Sequence, residues 1–253
     1  MKIGYMNDPR LDVFSEVKWA KSKGFDYLEL TLEKPNAYTF TDKLINKLRR
    51  ENFILIGHTF SLLQVGSLYE RVRKAAVKEL KYAIDVFSYL GVRQVVIHVD
   101  STAELINKEC LISQNLKSIQ ELVDYSKYNV QILIEHFNGI FSDPLNVKAI
   151  TDQIPEVGVT LDVSHANLFF KNSKIEEFIS TLEEKIEHVH MSDNYGGMNI
   201  SDDKHLELGK GNIDWKKVIV MLRNASYDGR ITLEVFQGKE SVVRSKNYLK
   251  KLL

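Results

Sequence analysis

The sequence predicts a closed, single-domain (β/α)8 barrel, the TIM-barrel architecture, and three observations carry that prediction. Short apolar, β-branched runs alternate with longer amphipathic runs eight times along the chain, the signature of parallel strand–helix units. The 253 residues run without a linker or low-complexity stretch, with only four prolines and thirteen glycines, and this is a usual length for one such barrel. The first strand leads into Asn7-Asp8-Pro9-Arg10, where a doubly wound open sheet would carry a Gly-rich turn.

Lys2–Met6 is the first strand. Leu11–Lys23 follows as a helix, with Phe14, Val17 and Ala20–Lys21 at helical spacing and Gly24 as its stop. Phe25–Thr31 is the second strand, and Thr41, whose side-chain oxygen accepts a backbone N–H, caps a helix that runs to Glu51. Phe53–Thr59 is the third strand, before a long helix, Leu68–Leu90, ended by Gly91. In that helix Arg71, Arg73, Lys74, Lys78 and Lys81 mix with acidic residues, which reads as a solvated face and not as a nucleic-acid stripe. Val92–Val99 is the fourth strand, and Ala103–Tyr128 is mostly helix. Val130–Phe137 is the fifth strand, and Pro144 opens the helix to Gln153. Gly158–Val163 and the helix Lys174–Lys185 come next, then Ile186–Ser192 and the helix Ile213–Asn224. Arg230–Phe236 is the eighth strand, and a helix from about Glu240 to Leu252 closes the chain. Trp19 and Trp215 fall on helix faces and read as packing between helices and barrel. No boundary appears, so residues 1–253 are read as one domain.

Composition removes several function classes. A hydrophobic fraction of 44% fills a large core and excludes wholesale disorder. Lys+Arg and Asp+Glu each number 34, so no overall positive field gathers nucleic acid or an anionic membrane. Cys110 is the single cysteine, which rules out an intrachain disulfide and a thiolate-rich metal site. Met1–Arg10 shows no basic segment followed by an apolar one, and no apolar run nears the roughly 20 residues that span a bilayer. The expectation is a soluble, cytoplasmic protein with no membrane partner.

The chemistry collects at the carboxyl ends of the strands, where a barrel of this kind keeps its active groups. Strand three ends at His58; strand four at His98, with Asp100 beyond; strand five at Glu135. Strand six ends at Asp162, with His165 three residues on; strand seven at His190, followed by Asp193; strand eight at Glu234. The loop after strand seven adds Asp203 and His205. Side-chain alternation puts Leu133 with Glu135, His188 with His190, and Thr232 with Glu234 on common faces. The barrel axis therefore receives Glu135, Asp162, His190 and Glu234 from four consecutive strands. Carboxylates so dense repel one another and resist ionisation when buried, and a divalent cation removes that conflict. Carboxylates with imidazole suit Zn²⁺, Mn²⁺, Fe²⁺ or Co²⁺. A lone strand-end histidine is usually just a satisfied polar group. Here five of the seven histidines (58, 98, 165, 190, 205) fall at or just after strand ends beside four carboxylates, and that co-occurrence is what points to a metal site.

At these residues the chain resembles the xylose isomerase-like TIM barrel superfamily of sugar isomerases, sugar epimerases and the AP endonuclease IV family. The resemblance is carried by Ile134-Glu135-His136, by Val157 to Ala166 with its Asp162-x-x-His165 pair, by His188-Val189-His190-Met191-Ser192-Asp193-Asn194, and by His205 to Asp214. In the isomerase and epimerase branch, the positions matching Glu135, Asp162, His190 and Glu234 hold the metal. Glu135 and Glu234 there double as the catalytic acid/base pair, and the position of His165 binds substrate. This implies a divalent-metal-dependent isomerase or epimerase of a small sugar or sugar phosphate, in which one carboxylate removes a C–H proton next to a carbonyl and the other returns it to the enediolate. Zn²⁺ or Mn²⁺, as one to three ions, is the implied cofactor.

The endonuclease IV branch implies an alternative, a three-zinc phosphodiesterase acting on abasic DNA. Its nine ligand positions all have matches: His58, His98 and Glu135; the bridging Glu135 with Asp162, His190 and Glu234; and His165, Asp203 and His205. Three departures oppose it. Ser61 stands where that family has an aromatic residue that helps open the duplex. The loop Leu32–Tyr38 has mixed charge where that family has basic and aromatic DNA contacts, although Tyr38 can stack, and the first-strand signature is absent. The isomerase reading has its own gap, since Gly196 stands where some epimerases place an arginine; Lys204, Lys210 or Arg10 are left to contact substrate or phosphate. A binding barrel with repurposed ligand positions is the third reading, and a homo-oligomer is left open.

Several smaller features complete the reading. His136 alternates with Glu135 and is expected to face away from the axis, and His188 to sit one layer below His190. Glu29, ending strand two, either orients a ligand or makes a structural ion pair. Asp193 either holds His190 or positions substrate, and Lys210 is a candidate substrate contact. Gly209-Lys210-Gly211 is read first as a tight turn and second as a phosphate cradle before a helix.

Overall fold

Inward and outward residues alternate along every strand, so a parallel sheet flanked by helices on one face must curl until its first and last strands meet. The computed structural model, which describes residues 1–32, 41–51, 53–101, 107–126 and 129–253, shows that closure. The strands β1 (Lys2–Met6), β2 (Tyr27–Leu32), β3 (Ile54–Thr59), β4 (Gln94–His98), β5 (Gln131–Glu135), β6 (Gly158–Asp162), β7 (Ile186–Met191) and β8 (Arg230–Leu233) pair in sequence order, and β8 pairs β1 to close the barrel. The helices are α1 (Val13–Ser22), α2 (Asp42–Arg50), α3 (Glu70–Leu90), α4 (Lys108–Ser126), α5 (Pro144–Thr151), α6 (Ile175–Leu182), α7 (Trp215–Asn224) and α8 (Lys239–Lys250). The expected helix start at 103–106, its end at Tyr128, and the loop 33–38 with Tyr38 lie outside the described residues.

Local chemistry accounts for the helix ends. Asp12 accepts from the Ser15 N–H, Thr41 from Leu44, Asp143 from Leu145 with Pro144 next in line, and Asp214 from Lys217. Gly91 ends α3 at φ 82°, where a side chain would be strained. The strand and helix order matches the sequence reading, with ends moved by a few residues. Two ends move by three residues: α6, read to Lys185, ends at Leu182, and β8, read to Phe236, ends at Leu233. The Glu234 N–H still bonds the Met191 carbonyl at 3.0 Å, but the Phe236 N–H bonds the carbonyl of His205 at 3.2 Å, which draws the chain off the sheet toward the β7–α7 loop. No helix among the described residues is long and apolar enough to cross a membrane.

The main core lies between the strands' outer faces and the helices, where Phe87, Phe141, Phe178 and Trp215 are buried. Trp19 packs edge-on against Tyr5 at 5.0 Å and also touches Phe25. One charge on α3 departs from the solvated-face reading. Arg73 is fully buried, and its guanidinium donates to Glu70, Ser118 and Glu121, so it clamps α3 to α4. A cation can be buried there because several of its donors are matched.

Inside the barrel the side chains form layers. Gln94, Gln131, Glu187 and Arg230 are hydrogen-bonded together at the amino end. Tyr27, Ile56, Val96 and Leu133 make an apolar plug above them, and the polar mouth lies above that. The β6–β7 register slips by one residue between Val159 and Thr160, which sets Thr160 against His188 and Asp162 against His190. Gly4 lets the Tyr27 ring cross the barrel, since a Cβ built on Gly4 would lie 2.4 Å from that ring. Gly4→Ala is therefore expected to displace Tyr27 and lower stability by about 1–3 kcal/mol through overpacking, read as a lower midpoint in chemical denaturation.

Candidate metal centre

The alternation that puts Leu133 in the plug also puts Glu135, one step up β5, in the mouth. β6, β7 and the end of β8 deliver Asp162, His190 and Glu234 to the same place, and one ligand atom from each of the four lies within 4.8 Å of the others. His190 Nδ1 is 3.3 Å from Glu234 Oε2, 3.4 Å from Glu135 Oε1 and 3.9 Å from Asp162 Oδ2. All four residues are buried. Asp162 also explains the spacing to His165, because its Oδ1 accepts the His165 backbone N–H at 2.9 Å and so fixes the turn after β6.

Two further groups flank this one. On the β3–β4 side, His98 Nε2 and His58 Nε2 point to Glu135 Oε2 at 3.3 and 3.7 Å. On the β7–α7 side, His165 Nε2 and His205 Nε2 lie 3.4 and 3.0 Å from Asp203 Oδ2. His165 Nδ1 sits 3.2 Å from the His136 carbonyl and His205 Nδ1 sits 3.0 Å from the Glu234 carbonyl, so both donate there, and each turns its Nε2 to the Asp203 carboxylate. His205 has φ 43°, an uncommon left-handed backbone for a residue with a side chain. Its ring stacks on Phe236 at 4.2 Å, which helps hold it in place.

Unspent atoms test whether a cation fits. Both Glu135 oxygens, Asp162 Oδ2, His190 Nδ1, Glu234 Oε2 and Asp203 Oδ1 are buried and have no hydrogen-bond partner. Native interiors rarely leave such groups unpaired, and here they converge on shared space. Oxygen and imidazole donors in this number suit a divalent ion of the zinc or manganese kind.

The electrostatics agree. Burial, reinforced by Glu234 and Glu135, pushes the Asp162 carboxyl up to about 7. Burial works against the charge on Glu135, but His98, His190 and His58 outweigh it and hold the carboxyl well below the usual range. Burial pulls His98 down to about 4. Burial also opposes the charged forms of His165 and His205, yet Asp162 and Asp203 carry His165 up to about 10, and Glu234 and Asp203 carry His205 up to about 9. Protons on these imidazoles thus balance the carboxylates, the task a divalent ion performs in their place.

Nine of the residues singled out from the sequence meet at the mouth, and two do not. Asp193 is fully buried but spends its carboxylate on the backbone N–H groups of Gly209 and Asn194 and on Trp215 Nε1. It latches the β7–α7 loop to α7. Lys210 is exposed, and the N–H groups of Gly209 and Lys210 are bonded to Asp193 and Glu207, so Gly209-Lys210-Gly211 is a tight turn. His136 faces outward, as its alternation required, and stacks on Phe178 at 4.0 Å.

The mouth cavity measures about 190 Å³ and is lined by Met6, Thr31, His58, Thr59, Ser61, His98, Phe137, His165, Asp203, His205, Glu234 and Phe236. Phe137 and Phe236 were not foreseen as lining residues, although each stands two residues beyond a strand-end glutamate, where the same alternation puts it on the inward face. A neighbouring hollow of about 530 Å³ shares Met6, Thr31 and Phe236 with it.

Residues 17–252 match a family described as the xylose isomerase-like TIM barrel. An uncharacterised protein of Methanocaldococcus jannaschii, MJ1311, is 31% identical over 214 residues, covering 81% of this chain and 71% of that one. The crystal structure of a D-tagatose 3-epimerase-like protein superposes with a TM-score of 0.86 at 28% identity, over 100% of this chain and 97% of that one. Endonuclease IV from Thermus thermophilus shares the fold, with a TM-score of 0.78 at 18% identity over 100% and 98% of the two chains.

The raised histidines set a pH dependence. A folded-state pKa above the usual 6.5 contributes stability that is complete below 6.5 and is lost as pH rises toward about 9 for His205 and about 10 for His165. The metal-free protein should lose thermal stability between pH 7 and 9. Saturating zinc should diminish that loss, because the cation replaces the departing protons. Thermal midpoints measured with a chelator and with zinc across this range check both statements.

Proposed function

The chain belongs to the xylose isomerase-like TIM barrel family, and on that footing we propose that it is a divalent-cation-dependent isomerase or epimerase of a small sugar or sugar phosphate. The observation that carries this reading is the pair Glu135 and Glu234, which come from different strands to within 3.4 and 3.3 Å of His190 Nδ1, each with unpartnered carboxylate oxygen. Glu135, Asp162, His190 and Glu234 would hold the cation, Zn²⁺ or Mn²⁺. When bound, it supplies positive charge where negative charge develops on a carbonyl oxygen.

Everything else falls to the chain's own groups. One glutamate takes the C–H proton next to the carbonyl onto a carboxylate oxygen, and the electron pair passes into the enediolate. The other glutamate, which must enter the cycle carrying a proton drawn from solvent, delivers it from its own side, inverting that carbon or moving the carbonyl; the first glutamate then releases its proton to solvent, which resets the pair. His165 can hold a substrate hydroxyl. The two glutamates sit on β5 and just after β8, separate walls of the mouth, as two-sided proton transfer requires. Phe137 and Phe236 line the rim beside these acids and give a substrate apolar faces to pack on. A cavity of about 190 Å³ is small against the ~300–1,000 Å³ of drug-sized sites and suits a compact polar substrate. The coverage and identity of the D-tagatose 3-epimerase-like structure support the same reading.

A second reading has its own observation. The flanking groups His58–His98–Glu135 and His165–Asp203–His205 would hold two further ions, the arrangement of a three-zinc phosphodiesterase for abasic DNA. Ser61 at the rim and the balanced net charge count against it, since opening a duplex takes a wedge and phosphate contacts.

The test is solvent exchange. Cation-loaded protein incubated with a panel of ketoses and their phosphates in D₂O should introduce deuterium beside the carbonyl. Glu234→Gln should cut that rate by about 100-fold or more. Absence of exchange across the panel, together with cleavage of an abasic-site duplex that is lost in Glu135→Ala, would reverse the order of the two readings.

A further inference from the structure

We propose that Glu29 is a positioning residue, one of whose carboxylate oxygens fixes the proton-bearing side of two imidazoles, His58 and His190, that face different parts of the centre. The proposal rests on reading the mouth as a cation centre. Glu29 is fully buried on β2. Its Oε1 accepts from His58 Nδ1 at 3.0 Å and from His190 Nε2 at 2.9 Å. Its Oε2 accepts from His188 Nε2 at 2.7 Å and from the Thr232 hydroxyl at 2.5 Å, and the Tyr27 hydroxyl lies 2.9 Å from Thr232 Oγ1.

A carboxylate has no proton to give, so each of these partners must donate to it. That puts a proton on His58 Nδ1 and on His190 Nε2 and directs the opposite nitrogens upward. Those are the atoms that face Glu135, His58 Nε2 at 3.7 Å and His190 Nδ1 at 3.4 Å. An imidazole that gives its N–H to a carboxylate is also a better electron donor at its other nitrogen. Glu29, His188 and His190 lie close enough together to suggest a cation nest of their own. Each Glu29 oxygen already holds two donors at hydrogen-bond distance, so the group reads as the hydrogen-bonded floor of the mouth. Because both imidazoles meet at the same oxygen, loss of Glu29 releases them together.

The test uses Co²⁺ as the probe. In wild-type protein, long-range ¹H–¹⁵N correlations should show the His58 proton on Nδ1 and the His190 proton on Nε2 with Co²⁺ replaced by diamagnetic Zn²⁺. Glu29→Ala should weaken Co²⁺ affinity by about 10–100-fold and change the visible Co²⁺ spectrum. Glu29→Gln, whose amide oxygen can still accept both N–H groups, should stay within a few-fold of wild type. Glu16→Gln, which alters a buried carboxylate bonded to Tyr5 and Lys239 outside the mouth, should leave affinity unchanged. The opposite proton positions on either histidine would overturn the proposal, even if Glu29→Ala fails to fold. So would wild-type affinity in Glu29→Ala, or an equal loss in Glu16→Gln. Wild-type protein that binds no Co²⁺ would remove the cation centre itself, a failure distinct from losing only the effect of Glu29.

Discussion

The constraint on which the structure depends is the concentration of negative charge in a place that water hardly reaches. Glu29, Glu135, Asp162 and Glu234 are all buried in or just under the barrel mouth. At low effective dielectric, carboxylates this close raise one another's cost of ionisation, and the chain must supply a counter-charge or lose them. Histidines of β3, β4 and β7 face acids of β2, β5, β6 and the end of β8, so compensation comes from other strands. The barrel below must also be rigid enough to keep acids and imidazoles from relaxing apart, and the plug of Tyr27, Ile56, Val96 and Leu133 provides that floor. Fold and chemistry are linked at this layer, because the alternation that fills the plug also dictates which residues reach the mouth.

That alternation is why so much was legible beforehand. Strand ends can be found from apolar runs, and in a parallel barrel all of them arrive at one rim. Glu135, Asp162, His190 and Glu234 could therefore be grouped without knowing any distance. Asp162 and His165 were paired through the Asp-x-x-His resemblance, and the structure gives that spacing a physical reason, since Asp162 Oδ1 accepts the His165 backbone N–H. Other contributions left no trace in the residue pattern. Arg73 looked like its solvated neighbours because burial of a guanidinium depends on Ser118 and Glu121, which come from a different helix. Asp193 looked like a mouth residue because it follows a strand end, yet the chain turns there and sends its carboxylate to the backbone of Gly209. The left-handed backbone of His205 belongs to a loop conformation, which alternation does not encode.

The shared ligand set also limits what it can decide. Epimerases and endonuclease IV occur among the proteins of similar fold, so the same rim serves more than one chemistry. In this chain the described residues above the acids include Phe137, Phe236 and Ser61, and it is such lining residues that must choose among the chemistries. Reaction type is thus written in the walls more than in the floor.

The latch formed by Asp193 divides the β7–α7 loop into two parts with different freedoms. Its base is held by four donors, and Gly211 is packed so tightly that a Cβ there would lie 2.1 Å from the Asn194 carbonyl oxygen. Its outer turn carries Tyr195, Met198 and Ile200 exposed to solvent. Inheritance can therefore exchange those three exposed side chains while Gly196 and Gly197 between them, both at positive φ, and the fastening beneath stay unaltered. A lineage descended from this chain has a stretch in which to try new recognition surfaces without first dismantling the machinery it already owns.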